Sequence, residues 1–170
     1  AGWSPDLSLS VANASFVGEA NGDQSGIQID SGGDVDGDGH DDILIGAPYN
    51  NDEAQDAGKT YLVLGGQNIW ANDLELEYAD ASFLGEDWYN YAGWSVAIAG
   101  DVDGDGLDDI LVGAHGNDES TYDAGQAYLI LGRASGWYAD QGLDTADASF
   151  HGESWYNYAG WDVAGAGDVD

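Results

Sequence analysis

Gly100-Asp101-Val102-Asp103-Gly104-Asp105-Gly106-Leu107-Asp108-Asp109-Ile110-Leu111-Val112-Gly113-Ala114 is the stretch whose reading decides the fold. It joins a nine-residue acidic loop to a short, almost wholly apolar run. Carboxylates fall at loop positions 1, 3, 5 and 9 (Asp101, Asp103, Asp105 and Asp109), and Gly106 at position 6 permits a sharp turn. The backbone carbonyl of Leu107 stands at position 7. The run that follows has the length and composition of a buried strand rather than a helix. Sixty-seven residues earlier the loop recurs as Asp34, Asp36, Asp38, His40 (again through its carbonyl) and Asp42, with Gly39 at the turn. Sixty-seven residues later a third copy begins at Asp168 and Asp170.

Hard oxygen ligands at this spacing, with no Cys and no His side chain required, select Ca²⁺ over transition metals. An EF-hand is excluded by position 12, where a bidentate Glu is needed and this chain has Ile45 and Val112. Nonapeptide calcium repeats are excluded by the 67-residue period. Several carboxylates drawn into one loop repel one another, so the cation is expected to form part of the folded structure. A merely solvated acidic turn does not account for two full copies and the start of a third.

The same shift aligns the rest of the chain without a gap. Ala14-Ser15-Phe16 matches Ala81-Ser82-Phe83 and Ala148-Ser149-Phe150; Tyr61-Leu62-Val63-Leu64-Gly65 matches Tyr128-Leu129-Ile130-Leu131-Gly132. The units read as an N-terminal segment 1–13, repeats 14–80 and 81–147, and a partial repeat 148–170. Each repeat predicts four short strands: in repeat two, a first strand over 93–99, then 109–114, then 126–131, with 81–85 or 148–152 as the outer strand. Glycines punctuate the boundaries and helical periodicity is absent. Four antiparallel strands in a repeat of this length predict an all-β fold of propeller blades, favoured over a linear β-solenoid. As given, the ring is incomplete, with two blades and the start of a third.

Gly93-Trp94-Ser95-Val96-Ala97, the acidic loop, Asp109 to Ala114, and Gly125-Gln126-Ala127-Tyr128-Leu129-Ile130-Leu131-Gly132 together resemble an FG-GAP repeat. Such repeats build the propeller of integrin α-subunits and of many microbial surface proteins. The resemblance covers 14–170 and implies a seven-bladed propeller with Ca²⁺ in the loop between the first two strands of a blade. Departures are Ser25-Gly26, Ala92-Gly93 and Ala159-Gly160 for the family's Phe-Gly, and Gly113-Ala114-His115 for its Gly-Ala-Pro. The first strand of repeat one, Ile27-Gln28-Ile29-Asp30-Ser31, is unusually polar.

Composition sets the outer bounds. The chain has 170 residues, 33 acids, and Lys59 and Arg133 as its only basic side chains, for a formal charge of -31. Nucleic acid and anionic membrane surfaces would be repelled. No apolar run approaches a membrane span. No cysteine is present, so disulfides and zinc–thiolate sites are excluded. His40, His115 and His151 fall at different places in the repeat, and no catalytic constellation is readable, so an enzyme is not expected.

Alternating strand direction puts the calcium loops on one face of the disc. On the other lie Trp88, Tyr89 and Tyr91 with their repeats Trp155, Tyr156 and Tyr158, beside loops 50–56 and 117–123. These aromatics are candidates for binding an extracellular protein or glycan, or for packing between blades. The acids of 50–56 and 117–123 could hold a second cation, but their spacing matches no known ligand pattern. The expected role is a Ca²⁺-stabilised adhesion or binding module of a secreted or cell-surface protein. The alternatives are a surface-layer or fibre subunit that pairs with further copies through open blade edges, and an accessory propeller of a larger secreted enzyme. A ring of seven such blades needs roughly 470 residues, so the sequence is expected to be a piece of a longer protein or one of several chains sharing a ring.

Overall fold

The structure is a computed structural model and describes residues 8–66 and 72–166. Its strands are β1 (Phe16–Val17), β2 (Ile29–Ser31), β3 (Ile43–Ala47), β4 (Lys59–Val63), β5 (Leu74–Glu75), β6 (Ala81–Leu84), β7 (Ser95–Gly100), β8 (Asp109–Ala114), β9 (Gln126–Ile130), β10 (Gln141–Gly142) and β11 (Ala148–His151). Helix among the described residues is limited to single 3₁₀ turns at Leu9–Val11, Leu76–Tyr78 and Leu143–Thr145. The fold is all-β, as the repeat predicts.

Two blades carry the structure. In the first, β2, β3, β4 and β6 run in that order, each antiparallel to its neighbour. In the second, β7, β8, β9 and β11 repeat the arrangement. The outer strand β6 lies beyond residue 80, so the first sheet straddles the boundary between the two sequence units. Periodicity fixes the length of a repeat but not its phase, and the sheet closes on residues from the next unit.

The two-residue strand β10 adds to the outside of β6 in parallel, pairing Gln141 with Phe83. Its equivalent, β5, pairs in parallel with β1, Leu74 opposite Phe16. Two-residue strands leave too little alternation to be read from sequence.

The main core lies between the blades. Leu44, Leu62 and Phe83 from one face of the first sheet meet Val96, Ile110, Val112, Tyr128 and Ile130 of the second, with Leu143 inserted from its 3₁₀ turn. The opposite face of the first sheet buries Ile45, Ala47, Tyr61 and Val63 under Leu76 and Phe16. Because successive residues of a strand point to opposite faces, a sheet buried on both sides reads as continuous apolar sequence. That is why Ile43–Ala47 shows no alternation.

The outer face of the second sheet differs. Leu111 and Leu129 are half-buried and Phe150 is 59% exposed, whereas Leu44, Leu62 and Phe83 at the equivalent positions are at 0%, 0% and 2%. The first sheet has a neighbouring blade on that side; the second has none among the described residues.

Gly46 and Gly113, inside strands, have a packing cause. A Cβ on Gly46 would collide with the Gly93 carbonyl oxygen, and one on Gly113 with that of Gly160. Each glycine lets the turn before the next blade's inner strand lie against this one. The polar strand β2 is also explained. Asp30 reaches across to accept a hydrogen bond from the Ile98 N–H of β7 at 2.8 Å, so it ties the inner strands of adjacent blades.

Candidate metal centre

Each acidic loop connects the two inner strands of a blade and is organised by its own carboxylates. Asp34 Oδ1 accepts from the N–H groups of Gly37 at 2.7 Å and Asp38 at 3.1 Å, and its Oδ2 accepts from Gly39 at 2.8 Å. Asp101 accepts from Gly104, Asp105 and Gly106 at 2.7, 3.0 and 2.8 Å. Gly39 and Gly106 have φ of 89° and 94°, a left-handed conformation that favours glycine. Position 6 of the loop therefore needs the residue it has.

The last carboxylate is the anchor. Asp42 is fully buried and accepts from Val35 N–H at 2.7 Å and from Gly65 N–H at 2.8 Å. Asp109 repeats this with Val102 at 2.8 Å and Gly132 at 2.7 Å. Each therefore binds its own loop to the exit of the third strand of its blade. The first loop also joins the blades: Asp34 N–H donates to Asp108 Oδ2 at 2.8 Å, and Asp108 N–H donates to the Asp34 carbonyl at 3.0 Å. Asp108 was not singled out from sequence. The doubled aspartate at 41–42 and 108–109 was its visible trace.

Among the described residues, two groups bring carboxylate oxygens within 4.8 Å of one another: Asp34, Asp36 and Asp42, and Asp101, Asp103 and Asp109. Two oxygens bound on opposite sides of one Ca²⁺ at about 2.4 Å lie about 4.8 Å apart, so the spacing fits one shared ion. Asp38 and Asp105 stand outside these groups. Each has an oxygen engaged by a backbone N–H two residues on, Asp38 with His40 and Asp105 with Leu107, both at 2.9 Å. The predicted copies at Asp168 and Asp170 lie outside the described residues.

The electrostatics are unfavourable without a cation. Two ionised carboxylates 4.8 Å apart repel by about 3 kcal/mol at an effective dielectric near 20. Burial pushes the Asp42 and Asp109 carboxyls above their ordinary range, against the lowering effect of their backbone donors, and the neighbouring aspartates push the same way. Asp36 is raised by burial and by Asp38 and Asp34. An oxygen-only donor set that resists its own ionisation is suited to a hard divalent cation.

The aromatic residues lie on the other side of the disc. Trp88 and Trp155 are 62% and 69% exposed. Tyr89 and Tyr156 are also exposed, whereas Tyr91 stacks on His115 at 5.2 Å and meets Tyr49 of the first blade at 5.5 Å. Tyr158 closes on Trp161 at 5.8 Å. The set divides: Trp88 and Trp155 project outward, and Tyr91 packs between blades. His115, Trp94 and Trp161 belong to the same cluster, with His115 4.6 Å from Trp94 and 4.5 Å from Trp161. Burial pushes the His115 imidazole down to about 4, so it is neutral at physiological pH. His115 stands where repeat one has Pro48, and a single departure from a repeat carries no such signal by itself. Trp88, Tyr89, Tyr91, His115, Tyr158 and Trp161 line a groove of about 420 Å³ together with Asp118 and Asp123.

The FG-GAP repeat family model matches residues 25–63 and 92–130, the three inner strands of each blade with the acidic loop between the first two. The chain is an FG-GAP repeat protein. It is 31% identical over 126 residues to integrin alpha-5 of Xenopus laevis, covering 71% of this chain and 11% of that protein. It is 32% identical over 145 residues to human integrin alpha-IIb, covering 81% and 13% respectively. Against integrin alpha pat-2 of Caenorhabditis briggsae the identity is 33% over 98 residues, 58% of this chain and 8% of the relative. The chain thus spans about a tenth of the length of the curated relatives it matches. No helix among the described residues is long and apolar enough to cross a membrane.

Proposed function

We propose that this FG-GAP chain is part of a calcium-stabilised propeller in a secreted or cell-surface protein, and that it serves adhesion by binding an extracellular protein or glycan. The observation that carries the calcium half is the paired gathering of Asp34, Asp36 and Asp42 and of Asp101, Asp103 and Asp109. In each loop these carboxylates would hold the ion, which would supply the positive charge that lets the loop and its buried aspartate stay ionised. Asp38, Asp105 and the carbonyls of His40 and Leu107 are the further ligands the loop spacing assigns. Millimolar extracellular calcium suits exposed loops of this kind.

The binding half rests on the exposed Trp88, Tyr89, Trp155 and Tyr156, which lie across the disc from the acidic loops. The integrin kinship supports an adhesive role. Exposed indoles beside carboxylates provide flat apolar area with polar partners at its rim. A glycan array probed in calcium should give a defined set of binders that Trp88→Ala and Trp155→Ala remove without lowering the melting temperature. A protein that binds no glycan, and whose captured protein partners are indifferent to both substitutions, would place recognition elsewhere.

A further inference from the structure

The two blades treat one equivalent position in opposite ways. In the first, Lys59 is 3% exposed and its ammonium sits among three carboxylates: Glu19 at 3.0 and 3.2 Å, Asp52 at 2.8 Å and Asp140 at 2.8 Å. Sixty-seven residues on, Gln126 takes its place. It faces Ala114 in the strand register as Lys59 faces Ala47, so the two side chains leave their sheets at the same point. Two of the three carboxylates remain, as Glu86 for Glu19 and Glu119 for Asp52. They border a cavity of about 620 Å³ that Asn90 and Asn117 also line.

Among the described residues no other lysine or arginine replaces the lost charge. Lys59 is engaged in the first blade, and Arg133, the other basic side chain, bonds Gln141 at 2.9 Å and covers the Trp137 ring. Gln126 is 1% exposed, and its Oε1 has no hydrogen-bond partner among the described residues. Asn117 orients the pocket: its Nδ2 lies 3.2 Å from Glu86 Oε2 and 3.1 Å from the Tyr128 hydroxyl, and its Oδ1 accepts from Glu119 N–H at 2.8 Å. Two of the three carboxylate positions that hold an ammonium group in the first blade are thus repeated in the second beside an open cavity.

We propose that the Glu86–Glu119 pocket binds an external alkylammonium group in the position that Lys59 fills internally in the first blade. Such a group donates hydrogen bonds, and the Glu86 and Glu119 carboxylates that border the cavity can accept them. The site is separate from the acidic loops and lies on the opposite face.

The test uses the whole chain in saturating calcium, with n-butylammonium as probe and tetramethylammonium as a control of equal charge that cannot donate. Side-chain amide NMR signals of Asn90, Asn117 and Gln126 should shift saturably with the first and not the second. Gln126→Lys should abolish the shift while raising the melting temperature, because it restores the internal ammonium. Glu86→Gln should weaken binding by roughly tenfold or more, the loss of one charge-assisted hydrogen bond. Equal response to tetramethylammonium, undiminished binding in a folded Gln126→Lys or Glu86→Gln protein, or displacement of the amine by further calcium would each overturn the proposal.

Discussion

At the level of single residues, the acidic loops combine two opposing demands on the same carboxylates. Asp34 and Asp101 spend their oxygens on backbone N–H groups to shape the turn, and Asp42 and Asp109 are buried as anchors. Crowding them stores repulsion that a cation would relieve. Asp103→Ala should therefore lower the calcium-saturated melting temperature more than Asp118→Ala, which removes an exposed acid from a loop without the ligand spacing; equal shifts by differential scanning calorimetry would contradict the ligand assignment. The pH dependence has a definite sign. The carboxyls of Asp36, Asp42 and Asp109 are raised in the fold, so the folded state holds more protons than the unfolded one between their ordinary and raised values. Their contribution to stability is full below the ordinary carboxylate range and is lost as pH rises through the raised values. Calcium-free protein should thus melt higher as pH falls from neutral into the upper carboxylate range. Calcium-loaded protein should melt lower over the same interval as the ligands protonate and release the ion, and parallel pH profiles with and without chelator would contradict this.

At the level of strands and sheets, the blade interface sets stability. Phe83 is buried between the sheets and Phe150, its repeat, is not. Phe83→Ala should cost about 3 kcal/mol or more in chemical denaturation, and Phe150→Ala well under 1 kcal/mol; similar costs would mean that the second sheet's outer face is covered in solution. Much of this architecture was legible. The predicted second strand at 109–114 coincides with β8, and the outer strands at 81–85 and 148–152 match β6 and β11 to a residue, because apolar runs bounded by glycine leave few alternatives. Strand β7 begins at Ser95 rather than Gly93, since Gly93 is taken up in the positive-φ turn against the first blade. The parallel strands β5 and β10 and the ties through Asp30 and Asp108 were not legible, because they depend on which repeats become neighbours in space. The same holds for the Lys59 cluster, whose partners lie up to 81 residues away in sequence.

For the molecule as a whole, a formal charge of -31 on 170 residues opposes compaction, and two loops add concentrated repulsion to that background. Monovalent salt screens the diffuse part, with a Debye length of about 8 Å at physiological ionic strength, but acts less on carboxylates within a loop. Specific calcium binding and general screening are therefore separable. At a hundredfold excess over its dissociation constant, an ion bound only by the folded state adds about 2.7 kcal/mol per loop, which in a domain of this size raises the melting temperature by roughly 5–10 °C. The decisive measurement is the melting temperature of the chain in chelator, in magnesium and in calcium, all at one ionic strength, for the native sequence and for Asp36→Asn with Asp103→Asn. The account predicts a large rise with calcium, a much smaller one with magnesium, and near-complete loss of the calcium increment in the double variant. A melting temperature set by ionic strength alone, or a calcium increment that survives both substitutions, would contradict it.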